Sequence, residues 1–380
     1  MKLLITGGHI APALACVDEF LNHPDIQIIF VGRKYNSLQE KSHSLEYREI
    51  TKRNIPFINL TAGRLTRSLS VSTLLNIICI PIGLFSAFAI LLKEKPHKIL
   101  SFGGYIALPI AVAAWILRIP IFTHEQTIRP GLANTIISLF AHTIFLSFPE
   151  STRFFDKKNI VVTGNPLRRQ VFEIVKKPFT ISSKKLVIYI TGGSLGSHEI
   201  NEHIKNIIEQ LLNFSVVIHQ TGNVIQHNDY SKLLARRDEL PDKLKENYFL
   251  REHIASDEIG FVYTKADLVI GRAGANTFFE LIALKKPSIL IPLPISAYGE
   301  QKKQAKVLKE AGVSQTFDES GKSEELLALI EEMIENREQY QKNFTKLQLL
   351  YHANATEIIT EYILKDASFD SAHFSPPLRS

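Results

Sequence analysis

Cysteine is nearly absent: Cys16 and Cys79 are the only two in 380 residues. Two thiols cannot build a disulfide framework, and their scarcity suits a reducing compartment. No CxxC or paired Cys/His cluster occurs, so a structural zinc site is not expected. The apolar start, Met1 to Ile5, is too short for the core of a signal peptide, and a glycine turn follows at once. Disorder is excluded by composition, with 45% hydrophobic and 22% charged residues. What is present is length for two domains, each able to bury a core. The net charge of +6 is uneven: residues 1–165 carry +7 and the rest −1. That excess points to an acidic partner or surface for the N-terminal half.

Short apolar runs alternate with helical patterns throughout. Lys2–Ile5, Ile26–Val31, Ile99–Phe102, Ile119–Thr123 and Thr143–Leu146 read as strands in the first half, and Leu186–Ile190, Ser215–His219, Leu268–Ile270 and Ser288–Ile291 in the second. Near-continuous Ile, Leu, Val and Phe is the mark of parallel strands buried on both faces, and the intervening helices imply βαβ units. The fold class is therefore α/β, with two Rossmann-like parallel-sheet domains. Ile5-Thr6-Gly7-Gly8-His9 returns as Ile190-Thr191-Gly192-Gly193-Ser194. Each follows a strand and opens a helix, where backbone N–H groups form a phosphate cradle. A tight turn without ligand would read the same. The domain break is expected at Thr163-Gly164-Asn165-Pro166, giving domains over 1–165 and 166–345. Residues 326–342 and 346–364 read as closing helices, the last packing back on the first domain. Residues 366–380, with Pro376-Pro377, read as a disordered tail.

An apolar run without a charge, Ile77–Leu92, is interrupted by Pro81 and Gly83. Extended back to Val71 it admits Ser72, Thr73 and Asn76. A buried core helix, a spanning helix and a helix dipping into the lipid interface all fit. Arg64 and Arg67 before it and Lys93, Lys95 and Lys98 after it, with the N-terminal charge excess, favour the third.

Four blocks carry chemistry. Ser101-Phe102-Gly103-Gly104-Tyr105 with Pro109, and His124-Glu125-Gln126, both end strands, where side chains converge on the crevice of an open parallel sheet. His124 alone reads equally as a core histidine. His219-Gln220-Thr221-Gly222 ends another strand. Gly271-Arg272-Ala273-Gly274-Ala275-Asn276-Thr277 reads as strand, loop and a helix capped by Asn276 or Thr277. Glu280 then falls near the first turn, to reach a ribose diol or to complement the helix dipole. Pro292-Leu293-Pro294 precedes Glu300, with Gln301 and Gln304 on one helical face, donor–acceptor amides suited to sugar hydroxyls.

Together these blocks resemble the MurG family of peptidoglycan glycosyltransferases, which have the GT-B fold of two such domains facing each other across a cleft. The resemblance spans about residues 1–365. It rests on Gly8-His9 with Pro12-Ala13, SFGGY with Pro109, HEQ with Gly131-Leu132-Ala133-Asn134, and Thr163-Gly164-Asn165-Pro166 with Arg168. In the second half it rests on GGSLG with Asn201, HQTG, Ala266–Ile270 with RAGA, Glu280-Leu281 and Gln301. It implies inverting transfer of N-acetylglucosamine from its UDP ester to the 4-hydroxyl of a lipid-linked muramyl-pentapeptide, lipid I becoming lipid II. No cofactor or metal is implied, and no acidic DxD pair is present. UDP-N-acetylglucosamine would lie in the C-terminal domain. Glu280 would hold the ribose; Ser194, the Gly192-Gly193 backbone and the Arg272, Ala273, Gly274 and Ala275 loop the diphosphate. The segment around Ile254 would face the uracil, Gln301 and Gln304 would hold the sugar, and Arg168 would add a donor contact. Gly7, Gly8, Gly103, Gly104, Tyr105, His124, Gln126 and Thr127 would contact the acceptor. His9 would be the general base, with Glu125 beside it. The apolar run would attach the protein peripherally to the cytoplasmic face of the cell membrane, an anionic surface; nucleic acid is not an expected partner.

The chain departs from the family pattern. The first glycine loop is four residues shorter than the usual GGGTGGH, Thr127 and Gln304 stand where Asn is usual, and Gly299-Glu300 replaces Asp-His. Two other readings follow: a related GT-B transferase acting on another lipid acceptor such as diacylglycerol, and an inactive sugar-nucleotide binding protein.

Overall fold

In a computed structural model of the chain, residues 1–35, 43–60, 71–156, 159–193, 195–222 and 227–365 are described, with backbone only for 71–80, 297 and 349. Ser194, Arg64, Arg67 and the expected tail from Asp366 onward lie outside these residues. The chain divides into two compact units, Met1–Pro166 with Asn354–Ser380, and Leu167–Ala353.

The first unit holds β1 (Lys2–Thr6), β2 (Gln27–Gly32), β3 (Phe57–Asn59), β4 (Lys98–Ser101), β5 (Ile121–Glu125), β6 (Thr143–Leu146) and β7 (Ile160–Val162). They form one parallel sheet in the order β3-β2-β1-β4-β5-β6-β7. Its helices are α1 (Ile10–Phe20), α2 (Leu45–Lys52), α3 (Val71–Glu94), α4 (Gly104–Ile116) and α5 (Leu132–Ser138). Successive strand side chains leave on opposite faces, so neighbours enter different cores. Leu4, Val31, Ile99 and Ile144 pack with Ala87, Leu91, Ile106, Ile110 and Ile137 of α3, α4 and α5. Leu3, Ile5, Phe30, Leu100 and Phe145 pack on the other side with Leu14, Val17 and Phe20 of α1.

The second unit holds β8 (Leu186–Thr191), β9 (Ser215–Gln220), β10 (Tyr248–Arg251), β11 (Leu268–Gly271), β12 (Ser288–Leu290) and β13 (Ser314–Thr316), again all parallel, ordered β10-β9-β8-β11-β12-β13. Its helices are α6 (His198–Phe214), α7 (Asp229–Asp238), α8 (Asp242–Lys245), α9 (Ile259–Lys265), α10 (Ala275–Leu284), α11 (Glu300–Ala311), α12 (Ser323–Glu335) and α13 (Arg337–Lys342). On α6, Ile200, Ile204, Ile207, Ile208, Leu211 and Leu212 repeat at helical spacing and face Ile188, Ile190 and Ile270.

The chain then returns to the first unit as α14 (Ala355–Lys365). Ile359 and Ile363 of α14 join the core on the α1 side. Lys98, 5% exposed, donates to the carbonyl of Ile363, so a buried ammonium meets a helix C-terminus. The end of the chain is more broken than the two long helices expected from sequence: α12, α13, a 3₁₀ segment over Asn343–Leu350, then α14. Among the described residues no helix is long and apolar enough to cross a membrane.

All nine strands read from the sequence are present, with ends shifted by two residues at most. The four not foreseen, β3, β7, β10 and β13, are the four sheet edges. Strand order reverses between β1 and β4 and between β8 and β11, and there the loops after the strands are drawn together. In the first unit the contact is tight. A Cβ on Gly8 would lie 2.1 Å from the carbonyl oxygen of Gly103. Gly103 and Gly104 adopt φ of 72° and 79°, a region open to glycine at no steric cost. Gly8→Ala should therefore lower stability by about 1–3 kcal/mol, the cost of overpacking. Gly131→Ala, with nothing within 4 Å of its Cβ, should stay within about 1 kcal/mol. Denaturant melts of the two variants check the contrast.

Candidate active site

At the β1–β4 switch point, His9 is the N-cap of α1 and its backbone N–H donates to Phe102 O at 3.3 Å. Its ring Nδ1 lies 3.1 Å from the same carbonyl. A carbonyl only accepts, so Nδ1 carries a proton, and in the neutral ring the lone pair is then on Nε2. That is the tautomer a general base needs. Neither α1 nor α4 has a side-chain cap or an acidic residue in its first turn. Both helix N-termini thus keep free N–H groups and the positive end of the dipole, the elements of an anion site. Gly7 and Gly8 precede one and Gly103, Gly104 and Tyr105 open the other.

Glu125, expected beside His9, ends β5. It is 1% exposed. Its Oε1 accepts from the Thr127 N–H at 2.9 Å and Oγ1 at 2.7 Å; its Oε2 accepts from Gly131 N at 3.1 Å and Asn134 Nδ2 at 2.9 Å. With both oxygens doubly engaged, the carboxylate organises the loop from 125 to 134. Asn134 also donates to His124 O and sits under Gly103, where a Cβ would meet its amide at 2.8 Å. His124 lies beneath the loop rather than in it. It is 1% exposed, and burial pushes its pKa down to about 3, so the ring is neutral. Its Nε2 faces Ser147 Oγ at 3.2 Å and Gly164 O at 3.4 Å, while Nδ1 has no partner. Gln126 is buried with its Oε1 unpartnered.

In the second unit the glycine turn after β8 does not repeat that of β1 in full. Its helix α6 is capped by Ser197 and carries Glu199 in the first turn. The uncapped, acid-free N-terminus belongs to α10, after β11. Its N-cap is Gly274, so neither Asn276 nor Thr277 caps it as the sequence suggested. Glu280 falls in the second turn, beyond the reach of the helix dipole. There its Oε2 accepts from Tyr263 OH at 2.7 Å and its Oε1 lies 3.6 Å from Arg168 Nη2. Burial, then the charge of Glu280, pushes the Tyr263 hydroxyl well above its ordinary range, so it remains a donor. Gln220 ties two site segments together: its Nε2 donates to Gly193 O at 2.9 Å and its Oε1 accepts from Ile254 N at 3.0 Å. Ile254 itself is buried.

Arg272 is committed inward. It is 8% exposed and donates to Ser197 Oγ, Ile291 O, Glu199 and Glu319. Its charge faces two carboxylates, so it fixes the loop bearing Ala273, Gly274 and Ala275 rather than presenting a free cation. Gln301 Oε1 accepts from Leu293 N at 3.0 Å. Gln304 is fully buried, with its Oε1 unpartnered and its Nε2 3.5 Å from Glu300 Oε1. Tyr263 and Glu319 escaped the sequence reading, because each meets its partner, Glu280 or Arg272, across a contact distant in the chain. Among the described residues, buried side-chain atoms of His124 and Gln126 in the first unit, and of Arg168, Asn276 and Gln304 in the second, have no partner. Buried polar atoms without partners call for an explanation, and ligand hydroxyls or phosphates would supply one.

Two Rossmann-like units with uncapped helix ends at their switch points match a known class. The glycosyltransferase family 28 N-terminal domain matches residues 6–146, and the glycosyltransferase family 28 C-terminal domain matches residues 187–359. A Clostridium perfringens (strain SM101 / Type A) protein named UDP-N-acetylglucosamine–N-acetylmuramyl-(pentapeptide) pyrophosphoryl-undecaprenol N-acetylglucosamine transferase is 35% identical over 378 residues, covering 96% of this chain and 98% of that protein. The crystal structure of Acinetobacter baumannii MurG superposes with a TM-score of 0.68 at 26% identity, covering 96% of this chain and all of that one. A Neisseria meningitidis UDP-GlcNAc 2-epimerase bound to UDP-GlcNAc shares the fold alone, with a TM-score of 0.63 at 17% identity over 96% of this chain and all of that one. The chain belongs to the MurG family of glycosyltransferases, as its motifs led one to expect.

The buried histidines set an acid limit. Burial holds both His124 and His219, one in each unit, at about 3, against about 6.5 when unfolded. Between those values the unfolded chain binds the extra protons. Their contribution is therefore complete above about pH 6.5 and is lost as pH falls toward 3, by about 1.4 kcal/mol per unit for each ring. Denaturant midpoints measured at pH 7 and pH 5 should show a loss of about 2 kcal/mol per histidine; a flat profile would contradict this burial.

Proposed function

We propose that this chain transfers N-acetylglucosamine from UDP-N-acetylglucosamine to the lipid-linked muramyl-pentapeptide, lipid I, forming lipid II in peptidoglycan synthesis. The observation that carries the reading is 35% identity along nearly the whole chain to a transferase of that name. The chemistry available supports it. The acceptor 4-hydroxyl attacks the anomeric carbon, its proton passes to His9 Nε2, and the bond to the diphosphate breaks with the electron pair leaving on UDP. Phe102 O holds His9 in the accepting tautomer. The α10 N-terminus and the Gly192-Gly193 turn meet the charge growing on UDP, and the α1 and α4 N-termini meet the acceptor diphosphate. Glu280, braced by Tyr263 and Arg168, takes the ribose through Oε1. His9→Ala should lower kcat by about 10²–10⁴-fold while UDP-N-acetylglucosamine binding stays near normal. Turnover with diacylglycerol but not lipid I would move the protein to the second acceptor class, and binding without turnover would make it a sugar-nucleotide binder.

The same reading includes peripheral attachment to the cytoplasmic face of the membrane, and with it a part in cell shape and division. Ile82, Phe85 and Leu92 on α3, Trp115 and Ile116 on α4, and Leu132 and Leu139 on and after α5 are exposed, on helices that pack side by side. Phe85 and Leu139 are 76% and 72% exposed. Lys93, Lys95 and Arg118 are exposed nearby in the chain. This apolar surface extends well past the run seen in the sequence and suits the lipid interface, its cations the anionic headgroups. The protein should sediment with anionic vesicles and less so at high salt. Phe85→Ser with Leu139→Ser should abolish sedimentation without lowering the melting temperature.

A further inference from the structure

We propose that His198, Glu202 and Asp229 bind a divalent transition-metal ion of the zinc type, at a site separate from sugar transfer. His198 and Glu202 are four apart on α6 and so share one face; Asp229 opens α7. One ligand atom from each lies within 4.8 Å of the other two. A tetrahedral ion with bonds of about 2.1 Å holds its donors about 3.4 Å apart. Small side-chain rotations therefore close the site.

Asp229 is the anchor. It is 4% exposed, and among the described residues no Lys or Arg forms an ion pair with it. Its Oδ1 faces His198 Nδ1 at 2.8 Å, and its Oδ2 accepts from Asn201 Nδ2 at 2.9 Å. A buried carboxylate met by an imidazole, an amide and a helix N-terminus, but by no Lys or Arg among the described residues, leaves charge for a dication to neutralise. Behind it the supports are fixed. Asn201 Nδ2 also donates to Thr221 O, so its Oδ1 must accept from His219 Nε2 at 3.0 Å, and His219 Nδ1 accepts from Tyr248 OH at 2.9 Å. Such a chain orients a ligand carboxylate from its outer side.

His227 stacks on His198 with ring centroids 3.9 Å apart and planes 14° from parallel. A metal bound to imidazole lies in the ring plane, and two parallel planes cannot share one ion. His227 therefore fixes the plane of His198 and is not a fourth ligand. Glu202 also pairs with Lys205, which the ion would displace or leave on the other carboxylate oxygen. One nitrogen and two carboxylate oxygens favour zinc, cobalt or manganese over calcium, which needs six or more oxygens. The site lies at the first turn of α6, just after the turn from Gly192 to Gly196, and ties that turn to α7. The ion would thus brace the donor side of the second unit without touching the reacting atoms.

The test uses the full, tag-free chain stripped with chelator and titrated with Co²⁺, then Zn²⁺. One equivalent of Co²⁺ should give visible absorption bands that Zn²⁺ removes, and Zn²⁺ at about 100 times its Kd should raise the melting temperature by several degrees. His198→Ala and Glu202→Gln should each weaken binding at least tenfold. Glu202→Gln replaces a partly exposed helix residue by an isostere, so it reads out even where the histidine variant folds poorly. Absence of stoichiometric binding below about 100 μM, or equal binding by both variants and the parent chain, would overturn the proposal.

Discussion

The first unit depends on the close passage of two glycine loops, where the backbone at Gly8 runs against Gly103. No side chain fits between them, since a Cβ on Gly8 would sit 2.1 Å from a carbonyl oxygen. That approach lets Phe102 O take both the backbone N–H and the ring nitrogen of His9. It also brings the uncapped N-termini of α1 and α4 close to each other, although the two helices run on opposite faces of the sheet. The Glu125–Asn134 network then holds Gly103 from below, with Thr123 Oγ1 donating to Asn134 Oδ1 at 3.0 Å. Two glycines, one carboxylate and one amide thus fix a histidine tautomer without any of their side chains needing to face solvent.

The second unit has the same topology but spends its polar groups differently. Its first switch-point helix, α6, is capped, and Arg272, in the loop expected to hold the diphosphate, is paired with Glu199 and Glu319. The N-terminus of α10 has neither a side-chain cap nor an acidic residue in its first turn, so its backbone N–H groups are the candidate anion donors. Backbone donors are already oriented, while an arginine held by two carboxylates would have to give up charge-assisted hydrogen bonds before it could move. Glu280 illustrates the same economy: its carboxylate is buried, and Tyr263 and Arg168 hold it in place.

Much of this was legible in the chain. The central strands announced themselves because burial on both faces demands unbroken apolar runs. Phe57–Asn59, Ile160–Val162, Tyr248–Arg251 and Ser314–Thr316 did not, because edge strands are short and partly exposed, and a run such as Ser-Gln-Thr carries no apolar signal. Motif residues were found where glycines and strand ends mark the crevice. Their duties were not. Glu125 is bound on both oxygens within its own loop, Gln304 is buried, and Gly274 rather than Asn276 or Thr277 is the N-cap of α10.

The sequence by itself determined two parallel-sheet domains, the positions of their ligand-side loops and the family, because hydrophobic period, glycine placement and motif order are local properties. Only the tertiary structure decided which nitrogen of His9 faces Phe102 O, that Arg272 is already paired, and that apolar side chains are exposed on three helices that pack side by side. Each of these depends on a partner tens of residues away, brought near by packing, and a one-dimensional pattern does not encode which distant group will satisfy a given donor or charge.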